Sequence, residues 1–70
     1  MIIKKDIPIN DNFLVEITYH ENNATRLYQL FFIGGEREKL CESFNRDSFI
    51  LKANKIVKIS NRLECLIASY

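Results

Sequence analysis

The chain has 70 residues, 47% of them hydrophobic, with ten Lys and Arg against nine Asp and Glu. This length allows a single domain over residues 1–70 and excludes two, and the apolar content with a net charge of +1 excludes a disordered chain. Because no apolar run approaches the roughly 18 residues of a membrane-spanning helix, we expect no contact with a membrane.

The N-terminal residues 1–6 reach charged side chains at once and lack the apolar stretch of a secretory signal. We therefore expect a complete gene product located in the cytoplasm, where its two cysteines stay reduced. The many Ile, Asn and Lys residues have AT-rich codons, which fits an accessory protein encoded by a phage or plasmid. So small a domain buries only about 60% of its unfolded surface, so we expect a homodimer to supply further burial.

The first half of the chain has the pattern of antiparallel strands. Large apolar side chains recur at every second position of residues 13–19, which is typical of a strand with one buried face. Residues 26–33 form a second, more uniformly apolar segment, and the Asn-rich residues 21–24 between them suit a hairpin loop. The pair Gly34-Gly35 ends this segment. Residues 2–9 are predicted to add an edge strand, because Pro8 is tolerated only at a sheet edge.

The second half, residues 36–70, contains neither Gly nor Pro, which argues against several tight turns. Leu40, Cys41 and Phe44 share one stripe after two acidic residues, a pattern that predicts a short helix. From Phe49 onward apolar residues recur at gaps of four and three, as on one face of a longer helix. Asp47 or Ser48 is expected to cap that helix.

The predicted fold is therefore α+β. It has an N-terminal antiparallel β-hairpin or three-stranded sheet at about 2–33, then the short helix and a longer amphipathic helix at about 47–68. The alternative is an all-β small SH3-like barrel, with strands at 48–53, 55–60 and 63–69. The β-branched residues of this region favour that alternative, since they suit strands better than helices.

No group of residues has the spacing of a catalytic or metal-binding site. His20 is the only histidine and is expected to be a solvated hairpin residue. Cys41 and Cys65 lie far apart without a Cys-x-x-Cys pair, and Gly34-Gly35 lacks the spacing of a phosphate-binding loop. We therefore predict a protein that is not an enzyme, with no catalytic residue, no metal and no cofactor.

The apolar residues of the second predicted strand point to another role. If helices cover one face only, either the set Leu27, Phe31 and Ile33 or the set Tyr28, Leu30 and Phe32 stays exposed. Our main hypothesis is a small non-enzymatic protein-interaction module, a stand-alone regulator or inhibitor that binds another protein. The candidate contact residues are Tyr28, Leu30, Phe31 and Phe32.

A nucleic-acid-binding regulator is the alternative function. Residues 46–70 contain five Lys and Arg against two Asp and Glu, and a basic helix face can contact phosphates. The candidate residues on this C-terminal face are Arg46, Lys52, Lys55, Lys58 and Arg62. The near-neutral charge of the whole chain and the lack of aromatic residues among these cations favour a protein partner.

Overall fold

The computed structural model describes residues 1–58 and 61–68, with the backbone alone for residues 61 and 62. Four strands form one antiparallel sheet in chain order: β1 (Ile2–Pro8), β2 (Phe13–His20), β3 (Arg26–Phe32) and β4 (Glu38–Ser43). Two helices follow, α1 (Arg46–Val57) and α2 (Asn61–Ile67). The fold is α+β, as predicted. Neither α1 nor α2 combines the length and the apolarity needed to cross a bilayer.

The turns between the strands use asparagine side chains. Asn10 Oδ1 accepts hydrogen bonds from the backbone N–H groups of Asn12 and Phe13, at 2.8 and 3.0 Å. Asn23 Oδ1 accepts one from the N–H of Thr25 at 2.8 Å. Such bonds imitate a backbone turn, so the β1–β2 and β2–β3 hairpins close without a glycine, whereas the β3–β4 connection contains Gly34 and Gly35. The predicted hairpin at about 13–33 and the edge strand before it are both present.

The core lies between the helices and one face of the sheet, the helix-facing side. Tyr28 of β3 and Phe49 of α1 stack with ring centroids 5.7 Å apart. Burying a side chain such as Phe49, which is 0% exposed, contributes about 2–3 kcal/mol. The buried hydrophobic residues of the described chain are Ile7, Ile9, Val15, Ile17, Tyr28, Leu30, Phe49, Ala53, Leu63 and Ile67.

The short helix predicted around residues 36–44 is wrong, because residues 38–43 form β4. The register between β3 and β4 shifts by one residue next to Leu30, which is a β-bulge. The bulge lets the consecutive residues Leu40 and Cys41 both pack against the core. Two neighbouring apolar residues on one side imitate a helical stripe in the sequence, and this caused the error.

The single helix predicted at about 47–68 is interrupted. Asn45, rather than Asp47 or Ser48, caps α1 by accepting a hydrogen bond from the N–H of Ser48. Lys58 ends α1 in the left-handed conformation, with φ 53° and ψ 45°. An unbroken helix of this length would extend about 33 Å, but the strands span only about 25 Å. The break brings Leu63 and Ile67 of α2 back over the sheet.

The SH3-like barrel is also wrong for the described residues. Residues 46–57, which would supply its strands, are helical, and the four strands form an open sheet. Ile50 and Val57 of this segment pack against the core, where packing outweighs their weak preference for strands, whereas Ile56 is 45% exposed.

The first prediction concerns the end of α1. Lys58→Gly removes the steric cost of a left-handed residue with a Cβ, so we expect it to stabilise the fold by about 0.5–1 kcal/mol. Lys55→Gly, inside α1, is expected to cost about 1 kcal/mol. Urea unfolding of both variants measures the difference. If both variants lose the same stability, α1 continues through Lys58.

A second prediction concerns the turn after β3. A Cβ on Gly34 would lie 2.7 Å from Cζ of Phe32 and 2.8 Å from Oδ1 of Asn12. We therefore expect Gly34→Ala to destabilise the fold by about 1–3 kcal/mol through overpacking. Gly35→Ala is the matched control, because its Cβ would meet only Phe32, at an ordinary 4.0 Å. Equal thermal unfolding midpoints for the two variants would contradict this account.

Candidate functional site

The second face of the sheet, here called the open face, is not covered by either described helix. The register places Glu16 opposite Asp6 and Gln29, and Leu14 opposite Phe31. Side chains alternate along each strand, so the whole set on the open face follows from these pairs. Its residues are Ile2, Lys4, Asp6, Pro8, Leu14, Glu16, Thr18, His20, Leu27, Gln29, Phe31, Lys39 and Glu42.

The centre of the open face is polar and electrically balanced. Glu16 is only 9% exposed and forms an ion pair with Arg37, whose guanidinium lies 4.3 Å from the ring centroid of Phe31. Lys4 lies 4.0 Å from the same carboxylate on the other side. These cations are half exposed or more, so the pairs add little stability. They neutralise the face instead, and it therefore has no strong preference for a charged ligand.

The β4 side of this face is balanced in the same way. Lys39 Nζ lies 2.9 Å from Glu42 Oε1, and Gln29 donates to the other oxygen at 3.3 Å. The hydrogen bond from Lys39 is the main cause of a lowered pKa at Glu42. Glu42 therefore stays ionised and paired at neutral pH.

One end of the open face contains an apolar groove of about 290 Å³. Phe44, which follows β4, is 68% exposed there, and Ile2 at the start of β1 is 57% exposed. Leu27 lies next to them on β3. Polar side chains surround this apolar centre. The residues lining the groove are Ile2, Thr18, Tyr19, His20, Asn23, Thr25, Leu27 and Phe44.

The structure separates the four predicted contact residues. The expectation that Tyr28 and Leu30 are exposed is wrong, since they are 6% and 0% exposed beneath α1. Phe32 also lies on the helix-facing side, where its ring packs edge-on against Phe13 at 5.7 Å. Phe31 alone lies on the open face, half-buried. Of the two alternative sets, the one with Leu27, Phe31 and Ile33 is therefore the one left outside the core.

Sequence reasoning missed Ile2 and Phe44. The sequence pattern predicts Phe44 on the apolar stripe of a short helix, and that helix is not formed. The pairing of Tyr28 with Ser43 instead places Phe44 next to Leu27. Recognition of β4 as a strand would have found it. Ile2 was placed on the edge strand, but its side chain could be assigned to the open face only once the register was known.

The basic candidates lie on the other side of the molecule. Arg46, Lys52, Lys55 and Lys58 are all exposed; Lys52 and Lys55 lie on α1, and Lys58 is the left-handed residue that ends it. Lys52 also donates a hydrogen bond to the backbone oxygen of Glu42, at 3.4 Å. The side chain of Arg62 falls outside the described residues. The structure thus spreads the four described cations along α1, from Arg46 at its first residue to Lys58 at its C-cap.

The groups with reactive side chains do not converge. His20 is exposed at the end of β2, at the rim of the groove. Cys41 is half-buried in β4, where burial raises the pKa of its thiol, and Cys65 is exposed on α2. Within residues 1–58 and 61–68, no three His, Cys, Asp or Glu side chains are placed to hold a metal ion.

Comparisons with models of protein families, with curated proteins and with solved structures found no match. No relative therefore supplies a substrate or a partner for the open face. The functional interpretation of this chain depends on its own geometry: an electrically balanced sheet face with an apolar groove at one end.

Proposed function

We propose that the protein is a non-enzymatic interaction module, a small regulator or inhibitor, that binds another protein through the groove of the open face. One observation supports this most directly. Phe44 and Ile2 are large apolar side chains, 68% and 57% exposed, that lie together around one concave surface. Single exposed apolar residues are common, but a concave cluster with a polar rim is typical of an interaction site.

The chemistry of the groove indicates what kind of partner segment it binds. Phe44, Leu27 and Ile2 offer apolar contact to one large aliphatic or aromatic side chain. Around them, Thr18 and Asn23 offer hydroxyl and amide groups that can bond the backbone of that segment. Rigid aromatic anchors at the centre of a groove supply most of the energy in such interfaces, so Phe44 is the central residue of the proposal.

The electrostatics of the open face also favour a neutral, apolar partner segment. Arg37 and Lys39 each form an ion pair with a carboxylate within the face. A phosphate backbone would have to displace these internal partners before it could contact the cations. The cations of α1 lie elsewhere, so nucleic-acid binding through α1 is a separate outcome of the experiment below.

The third prediction tests the role of Phe44. Tagged wild-type protein and the variant Phe44→Ser are used to capture proteins from cell extract treated with nuclease. We expect Phe44→Ser to lose the captured protein, with at least a tenfold weaker Kd by titration calorimetry, because the groove loses its central aromatic anchor. Since Phe44 is 68% exposed, the variant should keep its fold.

Leu51→Ser is the matched control, because Leu51 is 66% exposed but lies on α1. It is expected to capture the same protein with unchanged affinity. The proposal is contradicted if the wild type captures nothing, or if Phe44→Ser and Leu51→Ser behave alike. It is also contradicted if binding requires nucleic acid and is lost in Lys55→Glu/Lys58→Glu, which would favour the basic face of α1.

A further inference from the structure

Among residues 1–58 and 61–68, no backbone partner covers the outer edge of β1, and the register assigns which of its groups point outward. Ile9 N donates to Phe13 O at 3.0 Å, and Glu21 N donates to Met1 O at 3.3 Å. Both bonds belong to the continuous register between β1 and β2, so odd-numbered residues of β1 bond to β2. The even-numbered residues therefore point their N–H and C=O groups away from the sheet. These residues are Ile2, Lys4, Asp6 and Pro8, the last with a C=O group only.

The two edges of the sheet differ: a bulge interrupts the pairing of β4, whereas β1 is a regular strand that carries Lys4, Lys5 and Pro8. β4 has a bulge beside Leu30, and Lys52 of α1 donates a hydrogen bond to the outward carbonyl oxygen of Glu42. Bulges and lysine side chains are common means by which proteins block pairing at an edge. β1 pairs regularly with β2 over all seven of its residues, without a bulge. α1 packs against β3 and β4, at the far side of the sheet.

We propose that two copies of this chain pair through their β1 strands, antiparallel and around a two-fold axis at Lys5. In this register Lys4 faces Asp6 of the second copy, and the reverse pair is identical by symmetry. Both residues have outward N–H and C=O groups, so each such pair exchanges both backbone hydrogen bonds. Pro8 faces Ile2 at the two ends of the interface, where its missing N–H group costs least.

The charges on the edge select this register over its neighbours. A shift that centres the axis on Lys4 would place two lysines directly opposite, and one centred on Asp6 would place two aspartates opposite. The axis at Lys5 gives opposite charges in both outward-facing pairs, and it confines the like-charge contact to one Lys5 pair on the helix-facing side. Among the ion pairs of the described residues none includes Asp6, and Lys4 has only its 4.0 Å contact with Glu16. Both side chains are thus available to a second copy.

The other face of the paired strands supports the same register. Ile3 then faces Ile7 of the second copy, which adds apolar contact on the helix-facing side. At the axis Lys5 lies opposite Lys5 of the second copy. This side chain is long and exposed, so both ammonium groups can turn to solvent. The two sheets of four strands join into one continuous antiparallel sheet. Their open faces then form one surface with a groove on each half.

Paired charge reversals test the register. Lys4→Asp leaves an aspartate at both outward-facing positions 4 and 6, and Asp6→Lys leaves a lysine at both. Two copies of the same variant therefore repel each other. An equimolar mixture restores both opposite-charge pairs in a heterodimer. Sedimentation equilibrium of the wild type should show a dimer at micromolar to submillimolar concentration. We expect each variant alone to dimerise at least about tenfold more weakly, and the mixture to recover wild-type affinity.

The proposal is overturned if the wild type is a monomer throughout this range, if the variants dimerise like the wild type, or if the mixture does not recover. Circular dichroism of each variant confirms that it is folded. Phe44→Ser is expected to dimerise normally, so failure of the groove and failure of the edge are distinguishable.

A disulfide provides a second measurement that does not depend on the charge variants. In a background with Cys41→Ser and Cys65→Ser, Lys5→Cys places two thiols on the axis at a non-hydrogen-bonded pair. The Cα atoms of such pairs lie about 4.5 Å apart, within the range of disulfides. We expect rapid oxidation to a covalent dimer, whereas Lys55→Cys in the same background should cross-link slowly. Equal cross-linking of the two variants would reject the interface.

Discussion

The packing of Phe49 against β3 determines which side of the sheet becomes core and which becomes surface. Its ring stacks on Tyr28 and is completely buried. Because side chains alternate along a strand, one helix on one face assigns every residue of β1, β2 and β3 to a side. Leu30 is thereby buried, while Leu27 and Phe31 are left on the open face. A slip of one residue would reverse both assignments, so this contact defines the open face as well as the core.

The strands of the first half were predictable because local signals agree with one another there. The period-two pattern of residues 13–19, the asparagines of the loop and Gly34-Gly35 all indicate the same hairpin. β4 could not be found in this way, since its bulge places Leu40 and Cys41 on one side and imitates a helix. The break at Lys58 was also hidden, because the apolar spacing continues across it. The break follows from the length of the sheet, and the sequence of the helical segment gives no information about that length.

The candidate site was predictable only as an alternative between two sets of residues. Three consecutive apolar residues, Phe31 to Ile33, show that both faces of β3 are apolar, but they do not show which face the helices cover. That choice depends on tertiary packing. Phe44 could be found only after β4, since its position beside Leu27 comes from strand pairing. Helical spacing placed Lys52 and Lys55 correctly on α1, but it could not place Lys58, where the predicted helix is broken.

The groove and the edge of β1 share one residue. Ile2 belongs to both, since its side chain lines the groove while its backbone lies on the free edge. Pairing of two β1 strands would order this terminal segment and hold Ile2 in place without covering Phe44, which lies beside Leu27 at the other side of the groove. A second copy would therefore make the groove more rigid and leave it open. Such preorganisation lowers the entropic cost of binding a partner segment.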